Sequence, residues 1–318
     1  MGQDLLSKMN GVSIDEVLAE IVDHVQPVFG QGKVADYIPA LAKVPPERFA
    51  MAVHCCQGAH ADCGDADVPF SIQSISKVFT LTLVMSSRPE ADIWKRVWRE
   101  PSGTPFNSMI MLERENGIPR NPFINAGALV ITDMLISDYG RQGAIDALLN
   151  FMRTLCGNST PTLDEEVARS ELATGHKNLG LAHTLKSFGN LENSVDDVMD
   201  VYCHQCALSM SVKQLASASV FLAKSGYDTT REVQVVPNEI VRRINALMIT
   251  CGHYDAAGNF AFRVGLPGKS GVGGGIIAII PDEASLAVWS PGLDEYGNSL
   301  VGTLALETFV EVTGTEIL

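Results

Sequence analysis

The sequence predicts an α+β protein, in which an antiparallel sheet built from both chain ends is flanked by helices and an all-helical domain is inserted between its halves. Three observations lead there. Residues 49–56 read as a strand near the start of the chain. Near its end, residues 260–264, 275–280 and 286–290 form apolar or alternating runs separated by Gly, Pro, Asp and Glu, the pattern of an antiparallel meander. Between these ends, from residue 74 to about 250, the apolar spacing is mostly helical. Residues 1–73 and 256–318 are therefore expected to form one discontinuous sheet domain and residues 74–255 the helical domain. A small-molecule site is expected in the cleft at their seam.

The elements follow in order. Ser13-Ile14-Asp15-Glu16 is a capping box, and Ile14, Val17, Leu18, Ile21, Val22 and Val25 recur at helical spacing until Pro27 stops them. Residues 30–39 read as a loop, and a Gly and Asp turn region separates the first strand from a short extended piece at 68–71. The helical span breaks at 101–103, 117–119, 157–158 and 187–190. A closing helix is expected over about 299–312.

With 318 residues, 46% of them hydrophobic, the chain can bury a large core. Its net charge of −14 argues against a nucleic-acid partner, since phosphate binding needs clustered Lys and Arg. No apolar run approaches the ~18 residues of a membrane span. The stretch around Asp4 and Lys8 lacks the apolar core of a secretory signal, and Leu6 stands where a myristoylation motif needs Ser or Thr. A cytoplasmic protein is expected. Seven cysteines without framework spacing fit free thiols in a reducing compartment. Cys203-His204-Gln205-Cys206 has no second ligand pair at metal-site spacing, so no metal is assigned.

The chemistry centres on Ser74, three residues before Lys77. A serine hydroxyl needs a proton acceptor to attack at neutral pH, and positions i and i+3 share a helix face. Taken alone the pair is common, and a lysine at a helix start is usually solvated. Here it is followed by Val78, Phe79, Leu81, Leu83 and Val84. An apolar setting disfavours the ammonium and lowers its pKa toward working pH, which makes a usable base. Far downstream, residues 268–275 carry Lys269-Ser270-Gly271 in a glycine-rich run. A phosphate loop fails there, because Arg263 occupies the first glycine position and strands follow. A plain turn remains open. So does a strand edge that approaches a substrate closely, offering backbone N–H groups to an oxyanion.

Ser-x-x-Lys with a distant Lys-Ser-Gly resembles the penicillin-binding and serine β-lactamase architecture, implying a β-lactamase-like fold. More of the chain, in several blocks running in order from about Gly30 to Asn298, resembles the serine-dependent glutaminases in their short bacterial form. Those blocks are residues 32–39, 70–77, 100–103 and 121–128, the pair Ser170-Glu171, then 251–254 and 265–275. The β-lactamase Ser-Asp-Asn box has no clear counterpart between Lys77 and Lys269, and Lys-Thr-Gly is replaced by Lys269-Ser270-Gly271.

The resemblance implies hydrolysis of L-glutamine to L-glutamate and ammonia through a glutamyl ester, with no cofactor and with a homo-oligomer, dimer or tetramer. It implies Ser74 as nucleophile, Lys77 as its base and Tyr254 as the group that assists proton transfer to ammonia. Tyr37, Asn125, Glu171, Asn178, Tyr202 and Val272 complete the implied substrate contacts. Glu171 would hold the ammonium and Asn125, Asn178 and Tyr202 the carboxylate, while Val272 would act through its N–H. Taken singly each has a plain alternative: Asn125 as a helix cap, Glu171 and Asn178 on a solvated face, Tyr202 and Tyr254 as packing aromatics. Lys269 stays outside the catalytic set. Two other functions stay open, a penicillin-recognising hydrolase, which would call for an export signal, and a non-catalytic glutamine or glutamate sensor.

Overall fold

Ser13 caps the first helix, Ile14–Val25, as its capping box requires: Ser13 Oγ accepts the Glu16 N–H and the Glu16 carboxylate accepts the Ser13 N–H at 2.7 Å. Ile14, Val17, Leu18, Ile21 and Val25 face inward and pack with the closing helix, Leu300–Thr313, over one face of the main sheet. A computed structural model describes residues 12–103, 108–229 and 231–315. The stretch around Asp4, Leu6 and Lys8 lies outside the described residues.

The strands are β1 Ala50–Cys55, β2 His60–Gly64, β3 Phe70–Ser71, β4 Thr162–Leu163, β5 Leu208–Met210, β6 Tyr227–Asp228, β7 Val233–Gln234, β8 Gly268–Ser270, β9 Gly275–Ile280 and β10 Ala284–Trp289. The main sheet is antiparallel in the order β2-β1-β10-β9-β8, so both chain ends build it. Its central register sets Ala52 against Ala287 and Leu286 against Ala278. Alternation sorts the side chains. Met51, Val53, Ile276, Ala278, Leu286 and Val288 lie under the two terminal helices, whereas Ala50, Ala52, Ile277, Ile279, Ala287 and Trp289 join the larger core of the helical span. Burial on both faces explains why Gly275–Ile280 reads as a continuous apolar run.

The helix Val212–Ala223 lies across the second face, against β1, β9 and β10. Behind it, Asn125–Tyr139 is buried nearly along its whole length and packs with Ser76–Ser87, Arg141–Cys156 and Val195–Cys206. No helix among the described residues is long and apolar enough to cross a membrane.

Three expectations need correction. Residues 260–264 belong to a helix, Ala257–Val264, and not to a strand. Phe260 and Val264 are one helical turn apart and buried, while Phe262 between them is 91% exposed, which over five residues also satisfies a period of two. The third strand of the meander is β8, the Lys-Ser-Gly segment itself, which sets Lys269 against Ile277. The turn region after β1 contains β2, whose mixed, half-exposed side chains hid it as an edge strand. Finally, the helical span is not purely helical. It carries β4 and β5, which with β3 form a small sheet, and the β6–β7 hairpin, all too short to show a period.

Candidate active site

Strand β3 delivers the chain into a 3₁₀ turn, Gln73–Ile75, that runs on into the helix Ser76–Ser87. Gln73 takes a left-handed φ of 50°, which is rare for a residue with a side chain and marks a constrained turn. Ser74 is thereby presented at the mouth of the helix. It borders a cavity of about 490 Å³ together with Tyr37, Gln73, Asn125, Glu171, Asn178, Tyr202 and Val272. The turn between β8 and β9 presses against this point. A Cβ on Gly271 would stand 2.5 Å from the Ile72 carbonyl oxygen and 3.2 Å from the Ser74 nitrogen, so only glycine permits the approach.

Lys77 lies one turn on, buried behind the cavity wall. Its Nζ donates to the Phe123 carbonyl at 3.2 Å and to Asn125 Oδ1 at 2.7 Å. Burial lowers its pKa to about 8, partly opposed by the nearby Cys206 and Glu171. Asn125 passes the contact on, its Nδ2 donating to Asn178 Oδ1 at 2.8 Å. Asn125 is the first residue of its helix, with Ile124 at the cap position. Asn121 supplies the local turn, its Oδ1 accepting the N–H groups of Phe123 and Ile124.

Glu171, in the helix Glu165–Thr174, is 6% exposed, unlike a residue of a solvated face. Burial raises its pKa to about 7, opposed by Gln73, Lys77 and Cys206. Its Oε2 is buried without a hydrogen-bond partner. Tyr202 is buried on the helix Val195–Cys206, with Lys77 Nζ 5.8 Å from its ring centroid. Burial raises its phenol pKa. Tyr37 is 55% exposed at the cavity mouth, yet its hydroxyl end is crowded, and desolvation with Tyr254 and Glu171 nearby raises its pKa.

Tyr254 opens a 3₁₀ turn, Tyr254–Ala256, at a left-handed φ of 53°. Burial raises its phenol pKa, opposed by the side chains of Ser74 and Ser270. Lys269 Nζ stands 4.5 Å above its ring centroid and donates to the carbonyls of Gly252, at 2.9 Å, and Ser270, at 2.5 Å. Ser270 Oγ donates to Asn298 Oδ1 at 2.6 Å.

The nine residues singled out from the sequence thus meet around one cavity, Lys77 and Tyr254 from behind its wall and the others on its lining. Gln73 joins them on the lining without having been singled out. Gln73 sits inside a block already marked by its neighbour Ser74. Cys203 and Cys206 are both buried free thiols. Among the described residues no group of three or more His, Cys, Asp or Glu is placed to hold a metal ion.

The architecture is the β-lactamase-like α+β fold. The glutaminase family pattern matches residues 32–318, and the chain belongs to the glutaminase family. A glutaminase of Rhodopseudomonas palustris strain TIE-1 is 53% identical over 309 residues, 97% of this chain and 99% of that protein. A glutaminase of Rhizobium meliloti strain 1021 is 52% identical over 304 residues, 96% of each. Among solved structures, a probable glutaminase from Bacillus subtilis complexed with 6-diazo-5-oxo-L-norleucine superposes with a TM-score of 0.86 at 35% identity, covering 96% of this chain and 98% of that one.

Proposed function

We propose that the protein hydrolyses L-glutamine to L-glutamate and ammonia through a glutamyl ester on Ser74. One observation carries the mechanism: Ser74 lines the same cavity as a buried carboxylate, Glu171, whose Oε2 has no hydrogen-bond partner. A neutral lysine amine has two N–H donors and one lone pair. The Phe123 and Asn125 oxygens accept both donors of Lys77, which leaves the lone pair for the Ser74 proton. Ser74 Oγ then attacks the side-chain amide carbon. The N–H groups of Ser74 and Val272 stabilise the oxyanion. Collapse breaks the C–N bond, and Tyr254 helps deliver the proton that leaves with ammonia. Water next attacks the ester, giving its proton to Lys77 as glutamate forms and Ser74 is restored.

Selection of the free amino acid follows from burial. Glu171 pairs with the ammonium, and Asn125, Asn178 and Tyr202 receive the carboxylate, with Tyr37 beside the bound ligand. An analogue without the amine leaves Glu171 unpaired and is rejected. The seam between a sheet domain, residues 1–73 and 256–318, and a helical domain, residues 74–255, carries the site. Free buried thiols support a cytoplasmic location. The exposed apolar side chains Met109, Ile110, Leu179 and Phe188 support a homo-oligomer. Ammonia release from L-glutamine, with L-asparagine and a chromogenic β-lactam assayed in parallel, tests the proposal. Release from glutamine alone is expected; turnover of the β-lactam alone, or of nothing, selects the penicillin-hydrolase or sensor alternative.

A further inference from the structure

Residues 292–299 follow β10 and fold into a tight loop beside the site. Asp294 Oδ1 accepts the N–H groups of Tyr296, at 2.9 Å, and Asn298, at 3.0 Å, while the Asp294 N–H donates to the Asn298 carbonyl at 2.8 Å. Gly297 takes the left-handed φ of 88° that closes the turn. One end of the loop is pinned by reciprocal backbone bonds between Leu293 and Lys33, at 2.9 and 3.0 Å, in the segment that carries Tyr37. The other runs into the closing helix at Ser299. Fixed at both ends, the loop turns the Asn298 side chain inward, where the residue is 2% exposed.

Asn298 uses both ends of its amide. Its Oδ1 accepts from Ser270 Oγ, on β8, at 2.6 Å, and its Nδ2 donates at 3.5 Å to the His253 carbonyl, in the peptide that leads into Tyr254. One residue upstream, β8 makes the matching ties itself, the Gly252 carbonyl accepting from the Ser270 N–H at 3.2 Å and from Lys269 Nζ at 2.9 Å. A Cβ on Gly297 would stand 3.7 Å from Val272 Cγ1 and 4.0 Å from Tyr254 Cε2, so the loop packs against both residues. Tyr254 holds its left-handed φ of 53° in this setting. That conformation is unfavourable for a bulky side chain and persists only where the surroundings impose it.

We infer that Asn298 is a positioning residue for proton delivery: by tying the His253 carbonyl to Ser270 it holds the Tyr254 turn against β8 and keeps the Tyr254 hydroxyl in place for the reaction. This rests on Tyr254 as the group that helps protonate ammonia. Asparagine suits the task because one short, uncharged side chain offers a donor to the carbonyl and an acceptor to the hydroxyl, both of them buried.

Steady-state kinetics with L-glutamine test this in a cycle of wild type, Asn298→Ala, Tyr254→Phe and the double variant. Misplacing a reacting group by about 1 Å costs ~10²-fold, so Asn298→Ala is expected to lower kcat by about tenfold or more. KM stays within about twofold of wild type, because Asn298 does not line the cavity. In the Tyr254→Phe background the hydroxyl that Asn298 places is already gone, and Asn298→Ala changes kcat by less than about twofold. Melting temperature falls under a positioning or a packing role alike, since buried hydrogen bonds are lost, so the decision lies in the coupling of the two kcat effects.

If folded Asn298→Ala keeps kcat within about twofold of wild type, or if its loss multiplies with that of Tyr254→Phe, Asn298 only packs the loop and the inference is overturned. If Tyr254→Phe itself turns over like wild type, the role of Tyr254 fails first and the inference falls with it, a result distinct from the other two. Should Asn298→Ala not fold, Asn298→Asp keeps the acceptor for Ser270 and replaces the donor to His253 with an oxygen. The same loss of kcat, absent in the Tyr254→Phe background, is then expected, and a loss of equal size in both backgrounds overturns the inference.

Discussion

Lys77 Nζ donates to Asn125 Oδ1 at 2.7 Å, and the same side chain turns its amide to Asn178 at 2.8 Å, so the proposed base is tied directly to the proposed carboxylate-binding pair. Asn125 thereby joins chemistry to recognition. It accepts from the Lys77 amine and also lines the cavity.

The pH dependence follows from two buried groups that must each lose a proton. Lys77, lowered to about 8 by burial, can serve as the proposed base only when neutral. Glu171, raised to about 7 by burial, can serve as the proposed ammonium anchor only when ionised. Activity is therefore present above both values and lost as pH falls through them. A profile of kcat/KM should fall on the acid side more steeply than one ionisation allows. In Glu171→Gln the limb near pH 7 should vanish and a single ionisation near pH 8 remain.

Tyr254→Phe separates proton transfer from packing by one oxygen atom. The ring, its stacking under Lys269 and most of its burial stay in place. General acid–base catalysis contributes ~10²–10⁴-fold, so kcat should fall within that range. Melting temperature should change little. Near-wild-type turnover would assign Tyr254 to packing and make Tyr37 the next group to test.

Gly271 tests whether the close approach of the β8–β9 turn to the nucleophile matters. An alanine there collides with the Ile72 carbonyl and crowds the Ser74 nitrogen. Overpacking of this kind costs ~1–3 kcal/mol, read from denaturant unfolding. Because the clash falls on the backbone that carries Ser74, kcat should drop more than KM rises. Gly258→Ala, which meets nothing within 4 Å, is the control and should match wild type in activity.

Much of this site was legible because its chemistry lies in dense local blocks. Ser74 and Lys77 lie within four residues of one another, as do Lys269 and Val272. The both-faces burial of β9 and β10 was equally plain as apolar runs. The residues 260–264 misled because Phe260, Phe262 and Val264 fit both periods, and only packing shows that Phe262 points to solvent. Strand β2 and the short strands of the helical span exist through pairing with distant partners, which no local pattern encodes.

The proposal that Ser74 carries the glutamyl group is tested most directly by kcat for ammonia release from L-glutamine in purified, folded Ser74→Ala. Removing the nucleophile of a unit that acts together predicts a loss of at least ~10³-fold, with Lys77→Ala comparably impaired. Turnover by Ser74→Ala within tenfold of wild type would contradict the account, since water would then be attacking the amide without the ester.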